Sequence, residues 1–300
     1  MIWFWLAAAV IGLTLAVAGL TCLMLWYEIG SGEELDALRR QSGNRVGLWL
    51  LSALATSAAS QALSLLLYPA CLLQRVWLPR PGGFDEAADM SGAPAVLFTH
   101  GIFHTSSAWV SVARRFAPLG LPRCHVWTYR SFAQEFDDVV DKLDRRIRRV
   151  LEAEPDRDLA LVGHSMGGLA IRAWLNRKHD GVGDDPRSRL AAVVTLGAPH
   201  QGSRLACLGT TRMARQLAYR GALIQAIEAD DAPPPCPCLS LRTPVDNMVL
   251  PPEGTRIHTS GWREEDTAPV SHIWLLYHGP AIVRAARFIL DAASAEGERP

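Results

Sequence analysis

Charged side chains are missing from the start of this chain, since none occurs from Ile2 to Tyr27. This stretch consists mainly of Trp, Leu, Ala, Val, Ile and Gly, and it exceeds the roughly 20 apolar residues that a helix needs to cross a bilayer. No basic residue precedes it, and it continues past the small residues 16–18, which argues against a cleaved signal peptide. We therefore predict a membrane anchor over residues 2–27.

A second uncharged stretch extends from Val46 to Leu73, but serine, threonine and glutamine recur in it. It predicts either a second membrane span or a helix that packs on the following domain, and we favour the span. More arginine lies between the two stretches than just after them: Arg39, Arg40 and Arg45 against Arg75 and Arg80. Because basic residues favour the cytoplasmic side, the intervening segment is expected in the cytoplasm and the following domain on the extracytoplasmic face.

A net charge is also missing, because 30 basic side chains balance 30 acidic ones. No basic excess therefore indicates nucleic acid as a partner. The sequence has no glycine-rich phosphate loop and no Cys/His spacing typical of a metal site, so we expect no cofactor and no metal. Of six cysteines, four lie beyond the apolar stretches, and the three pairings that four cysteines allow stay open.

The most informative segment that is present is the pentapeptide Gly163-His164-Ser165-Met166-Gly167. The apolar run 159–162 before it predicts a buried strand, and the spacing of apolar residues after it predicts a helix. A serine on a sharp turn between strand and helix is the setting of a nucleophile, and the two glycines allow the close approach that such a turn needs.

Three further segments accompany this pentapeptide in the chain. An apolar run from Ala95 ends in His100-Gly101, a second run from Ala191 leads into Leu-Gly-Ala-Pro-His-Gln-Gly-Ser, and a third contains Asp246 followed by Val249 and Pro251. A Ser-His-Ile-Trp-Leu-Leu segment, which contains His272, comes last. Strands that alternate with helices predict a doubly wound, mostly parallel sheet.

Together these segments resemble the lipase and esterase branch of the α/β-hydrolases, bacterial triacylglycerol lipases included, over residues 93 to about 292. The resemblance implies an α/β fold, here preceded by one or two transmembrane helices. The order Ser…Asp…His is the order of this fold. The resemblance also implies that the backbone N–H groups of Ile102 and Met166 form an oxyanion hole.

Ser165 is our candidate nucleophile, because a serine hydroxyl becomes reactive beside a base. His272 is the candidate base, and Asp246 is the candidate acid that orients its ring. His258, in a predicted strand at 256–259, and His278 are competing bases, and Asp266 is the alternative acid.

The predicted domains are a membrane anchor at 1–80, a linker at 81–93, a hydrolase domain at 94–292 and a C-terminal tail at 293–300. Residues 205–230 are expected to be either a lid over the active site or a helix that packs on the sheet.

The expected function is a membrane-anchored serine hydrolase that cleaves carboxylic esters of lipid-like substrates. The alternatives are an acyltransferase of the same fold and a catalytically silent binding protein tethered to the membrane. The expected partners are a lipid or ester substrate and the bilayer, and no feature indicates a protein partner.

Overall fold

A parallel sheet forms the centre of the computed structural model, which describes residues 1–30, 33–73, 92–177 and 185–297. The sheet has six strands in the order β2-β1-β3-β4-β5-β6, and every neighbouring pair is parallel. The strands are β1 Ala95–Thr99, β2 Cys124–Val126, β3 Leu159–His164, β4 Leu190–Leu196, β5 Cys238–Arg242 and β6 Trp262–Asp266. The doubly wound sheet predicted from the sequence is confirmed.

The helices fall into two groups. The first precedes the sheet and consists of α1 Ile2–Ile29, α2 Glu33–Ser42 and α3 Val46–Leu67. The second alternates with the strands: α4 Val110–Phe116, α5 Phe136–Ala153, α6 Met166–Asn176, α7 Arg212–Gln216, α8 Ala222–Ala229 and α9 Gly279–Gly297. Residues 92–297 are called the sheet domain below.

Both faces of the sheet are buried, as parallel sheets require. Alternate side chains of β1 point to opposite faces of the sheet. Val96 and Phe98 pack against α4 and α9, whereas Ala95 and Leu97 pack against α5 and α6. Because the strand direction is common to all six, the carboxyl ends of β1, β3, β4 and β5 meet at one edge. The strand order reverses between β1 and β3, which is where such sheets place their sites.

Two predicted boundaries differ from the structure. Residues 256–259 are not a strand; the sixth strand is β6, whose sequence Trp-Arg-Glu-Glu-Asp is only partly buried because it lies at the sheet edge. The last helix continues through Gly297, past the predicted end of the domain at 292. Residues 81–91 of the predicted linker and 298–300 of the predicted tail lie outside the described residues.

The segments Ala8–Ile29 and Val46–Leu73 are long and apolar enough to cross a membrane. They form an antiparallel pair with α1 against α3, and this helical hairpin is bound to the sheet domain. Leu63, Leu67 and Ala70 pack against the layer that contains α4 and α9. Many other apolar side chains of the hairpin are exposed, among them Leu13, Leu23 and Leu48.

Polar contacts also join the segment between the two helices to the sheet domain. In that segment Gln41 Nε2 donates to Asp266 Oδ2 at 2.7 Å. At the end of α1, just before it, Glu28 pairs with Arg204 at 2.6 Å. If both helices crossed the bilayer, this segment and the sheet domain would lie on opposite sides of it. These contacts bring the two parts together, whereas a two-span topology would separate them. By length and composition both helices remain candidate membrane spans, and the two-span topology and the extracytoplasmic side stay predictions.

Cysteine labelling tests this packing. Arg40→Cys reports on the segment between the helices, and the native Cys207, which is exposed, reports on the sheet domain. With Cys22 and Cys71 changed to alanine, in sealed vesicles of uniform orientation, a membrane-impermeant maleimide should label both positions or neither. Labelling of only one position until the vesicles are opened would contradict the packing and support the two-span topology.

Close packing of α6 on β1 gives a second prediction. A Cβ atom at Gly167 would overlap the carbonyl oxygens of Thr99 and His100. Gly167→Ala should therefore lower the free energy of unfolding by about 1–3 kcal/mol, the usual cost of overpacking. The control is Gly47→Ala, because a Cβ at Gly47 meets nothing within 4 Å. Thermal unfolding in detergent measures both variants, and equal midpoints would show that the close approach at Gly167 is not tight.

Candidate active site

Ser165 occupies the turn between β3 and α6. Its backbone has φ 55° and ψ −130°, a conformation that side-chain-bearing residues rarely adopt. Glycines on both sides make the turn possible, since a Cβ at Gly163 would come within 2.6 Å of Gly168 Cα. The serine N–H donates to the carbonyl oxygen of Leu196 at 2.9 Å, which ties the turn to the end of β4. Such strain indicates a functional position.

The candidate acid and base lie beside this turn. Asp246 follows β5 and is buried, and its Oδ1 accepts the backbone N–H groups of Met248 at 2.9 Å and Val249 at 2.8 Å. Its Oδ2 accepts from His272 Nδ1 at 2.7 Å. Because Nδ1 donates to the carboxylate, the neutral imidazole keeps Nε2 as a proton acceptor.

Ser165 and His272 border the same cavity, which has a volume of about 300 Å³. Within the described residues no hydrogen bond joins their side chains. Catalytic hydrogen bonds are often loose without substrate and tighten when it binds, so this does not argue against the pair. The cavity is mainly apolar, and its lining includes Ile102, Leu205, Leu217, Val249 and Ile273.

The backbone around the cavity offers the two expected N–H donors. Among the described residues, neither Ile102 N–H nor Met166 N–H donates to a protein acceptor. The next N–H along, that of Phe103, donates to Ser131 Oγ at 2.9 Å, so it is already used. Phe103 itself has a positive φ of 58°, which turns the loop sharply after Ile102. The arrangement leaves Ile102 and Met166 available for an oxyanion.

Two buried histidines, His100 and His164, pack beside the turn. Burial lowers the pKa of His100 to about 3, and its ring stacks on Tyr129, whose hydroxyl donates to the His100 carbonyl oxygen at 2.5 Å. Burial and the neighbouring His272 hold the pKa of His164 well below its ordinary value. His164 Nε2 donates to the His272 carbonyl oxygen at 3.2 Å. Both rings are therefore neutral and position the loops that carry Ile102 and His272.

The competing residues lie elsewhere. His258 is exposed and pairs with Glu253 at 3.4 Å. His278 precedes α9, where burial lowers its pKa, and it does not border the cavity. Asp266, the alternative acid, pairs with Arg242 at 3.0 Å on the edge strand.

Residues 205–230 divide between the two roles considered for them. Leu205, Ala206, Leu208 and Leu217 line the cavity. Ile224 and Ile227 of α8 are buried in the layer that contains α6. The first part therefore covers the cavity, and the second part packs on the domain.

Sequence reasoning missed the contributions of α1 and of Asn247. Leu20, Thr21 and Met24 line the cavity, and the buried Asn247 accepts the His272 backbone N–H at 3.2 Å. The available signal was a polar amide directly after Asp246 in an otherwise apolar loop. No sequence pattern indicated that α1 contacts the cavity, because its apolar residues extend around the whole helix.

Known proteins share this architecture. A family model described as the alpha/beta hydrolase family matches residues 96–296. The lipase BlEst2 of Bacillus licheniformis in its mature form is similar in structure, with a TM-score of 0.55 and 18% identity, over 68% of this chain and 93% of that one. Lipase B of Aspergillus fumigatus gives a TM-score of 0.56 and 15% identity, over 69% of this chain and 54% of that one.

Comparison with curated proteins gives no match. At these identities the structural likeness shows the fold alone, whereas the family model covers more than half of the sequence. With its parallel sheet and its serine turn between β3 and α6, this chain belongs to the alpha/beta hydrolase family.

Proposed function

We propose that the protein is a membrane-associated serine hydrolase that cleaves carboxylic esters of lipid-like substrates through an acyl-enzyme. Ser165 is the nucleophile, His272 the base and Asp246 the acid that orients it. One observation carries the proposal: the buried hydrogen bond from His272 to Asp246 leaves Nε2 as an acceptor in a cavity that Ser165 also borders.

The reaction starts when His272 Nε2 takes the hydroxyl proton of Ser165, and the serine oxygen attacks the ester carbonyl carbon. The resulting tetrahedral intermediate collapses as His272 returns the proton to the leaving alcohol, which leaves the acyl group on Ser165. A water molecule then gives a proton to His272 and attacks the acyl-enzyme. The second tetrahedral intermediate collapses as His272 gives this proton to the Ser165 oxygen, which releases the carboxylic acid and restores the serine hydroxyl.

The negative oxygen of each intermediate needs donors that are already in place. The N–H groups of Ile102 and Met166 have this role in our proposal, because no protein acceptor among the described residues occupies them. Removing one such donor costs other enzymes about 2.7–4 kcal/mol of transition-state stabilisation. The strained backbone at Ser165 fixes the Met166 N–H relative to the serine oxygen.

The apolar cavity lining favours an acyl chain as the group bound beside Ser165. The two lipases that share the fold support this choice of substrate class. Association with a bilayer has separate support, since the hairpin exposes many apolar side chains, and large exposed apolar surfaces mark contact sites. In our proposal the exposed side of the hairpin contacts the membrane while its other side stays bound to the sheet domain.

The first test is Ser165→Ala, which removes only the side-chain oxygen that borders the cavity and should leave the fold unchanged. Ester turnover should fall by several orders of magnitude, because the proposed nucleophile is gone. Turnover of a short ester by the purified protein in detergent measures this, and thermal unfolding checks that the variant is folded. Full turnover by a folded Ser165→Ala protein would refute the assignment.

The second test separates the base from its competitor. His272→Ala should lower kcat/KM by roughly 10⁴-fold or more, and Asp246→Asn by a comparable factor, because the wrong imidazole tautomer then faces the serine. His258→Ala is the matched control and should keep wild-type activity, because His258 is exposed and pairs only with Glu253. An inactive His258→Ala protein beside an active His272→Ala protein would reverse the assignment.

The same assay distinguishes the remaining alternatives. An acyltransferase would form more of a new ester than of free acid when an acceptor alcohol is added. A silent binding protein would have no turnover in the wild type, and Ser165→Ala would change nothing.

A further inference from the structure

One wall of the cavity beside Ser165 comes from the first helix of the chain. Leu20, Thr21 and Met24 of α1 line it together with Ser165 and His272. Met24 lies four residues after Leu20 and three after Thr21, the spacings that place side chains on one face of a helix. Leu23 does not line the cavity and is 63% exposed. The wall is therefore a specific side of α1 rather than a general apolar contact.

Hydrogen bonds hold this wall to the loops that carry the candidate base and acid. Asn247 Nδ2 donates to Thr21 Oγ1 at 2.7 Å and to Ser57 Oγ at 3.0 Å, while its Oδ1 accepts the His272 N–H. In addition, Ser271 N–H donates to Thr56 Oγ1 at 2.8 Å. Both helices of the hairpin are thus joined to the His272 loop through buried polar groups, which position α1 more strictly than apolar contact alone.

An apolar cluster strengthens the same junction. Val245 and Leu250, on either side of Asp246, are buried against Leu25 and Ile29 of α1 and Ala53 of α3. The Asp246 loop therefore packs on the hairpin. The same cluster therefore joins α1 to the loop on both sides of the candidate acid.

The opening of the cavity is also apolar. Three lining side chains are exposed as well, and they mark its rim: Leu20, Phe103 and Leu208. Leu20 belongs to the exposed apolar surface of the hairpin, so this surface continues to the rim. An acyl chain that enters here passes between α1 and the segment that begins at Leu205.

We propose that α1 forms the acyl-chain wall of the active site, and that Leu20 and Met24 set the length of chain that the enzyme accepts. This inference rests on the proposed function, since it concerns the acyl group of the ester. Leu20 lines the cavity and is exposed, whereas Met24 lines it and is half-buried against the apolar cluster of Leu25, Ile29 and Ala53. A larger side chain at either position shortens the space for a chain, and a smaller one at Leu20 extends it.

The test is a chain-length profile measured on the full-length protein in detergent. Leu20→Trp and Met24→Trp are compared with wild type on p-nitrophenyl esters from acetate to palmitate. Each variant should lose about tenfold or more in kcat/KM for the long esters, because the larger side chain takes the space that the last methylene groups of the acyl chain would fill. The loss should be smallest for the acetate, because its two-carbon acyl group fills the least of the cavity. Leu20→Ala should instead shift the optimum towards longer chains.

Leu23→Trp is the matched control, because it places the same large side chain on α1 outside the cavity and should give the wild-type profile. The inference is overturned if Leu20→Trp and Met24→Trp follow the wild-type profile. It is also overturned if folded variants lose kcat/KM by the same factor for every ester. A wild-type protein that hydrolyses none of the esters would refute the proposed function itself, and this inference with it.

Discussion

The strained backbone of Ser165 is the constraint on which the site depends. A positive φ at a serine persists only where the surroundings enforce it. Here β3 and α6 enforce it, because they pack so closely around Ser165 that a Cβ atom at Gly163 would overlap the backbone of Gly168. The same turn exposes the serine side chain to the cavity and leaves the Met166 N–H unpaired beside it. The strand order then brings the end of β1, with Ile102, next to the end of β3. The candidate nucleophile and the two candidate oxyanion donors therefore meet at the carboxyl ends of β1 and β3.

The loop after β5 contacts both the candidate base and the apolar hairpin. Asp246 bonds to His272, and its neighbour Asn247 bonds to α1, to α3 and to the His272 backbone. Two adjacent residues thus connect the candidate base to the sheet domain on one side and to the apolar hairpin on the other. In our proposal the hairpin therefore contributes to the active site as well as to membrane attachment. Removing it would expose Val245 and Leu250, the apolar residues that flank Asp246.

The fold and the candidate residues could be predicted from the sequence because the patterns that indicate them lie within short stretches of the chain. A serine between glycines after an apolar run, and His-Gly after another, follow from the geometry of strands and turns. The position of the hairpin was not accessible in this way, because Val46–Leu67 has the composition of a membrane span and its contacts with Asn247 and Ser271 join residues far apart in the chain. The strand predicted at 256–259 failed because β6 is an edge strand, where charged residues are tolerated and the apolar signal is weak.

A covalent label on the nucleophile tests most directly whether Ser165 is the reacting group. The full-length protein is treated with a fluorophosphonate that carries an alkyl chain, digested, and analysed by mass spectrometry. We expect a single adduct, on the peptide that contains Ser165, and we expect it to be lost when His272 is alanine. An adduct on a different serine, or continued ester hydrolysis by a protein fully labelled elsewhere, would contradict the account.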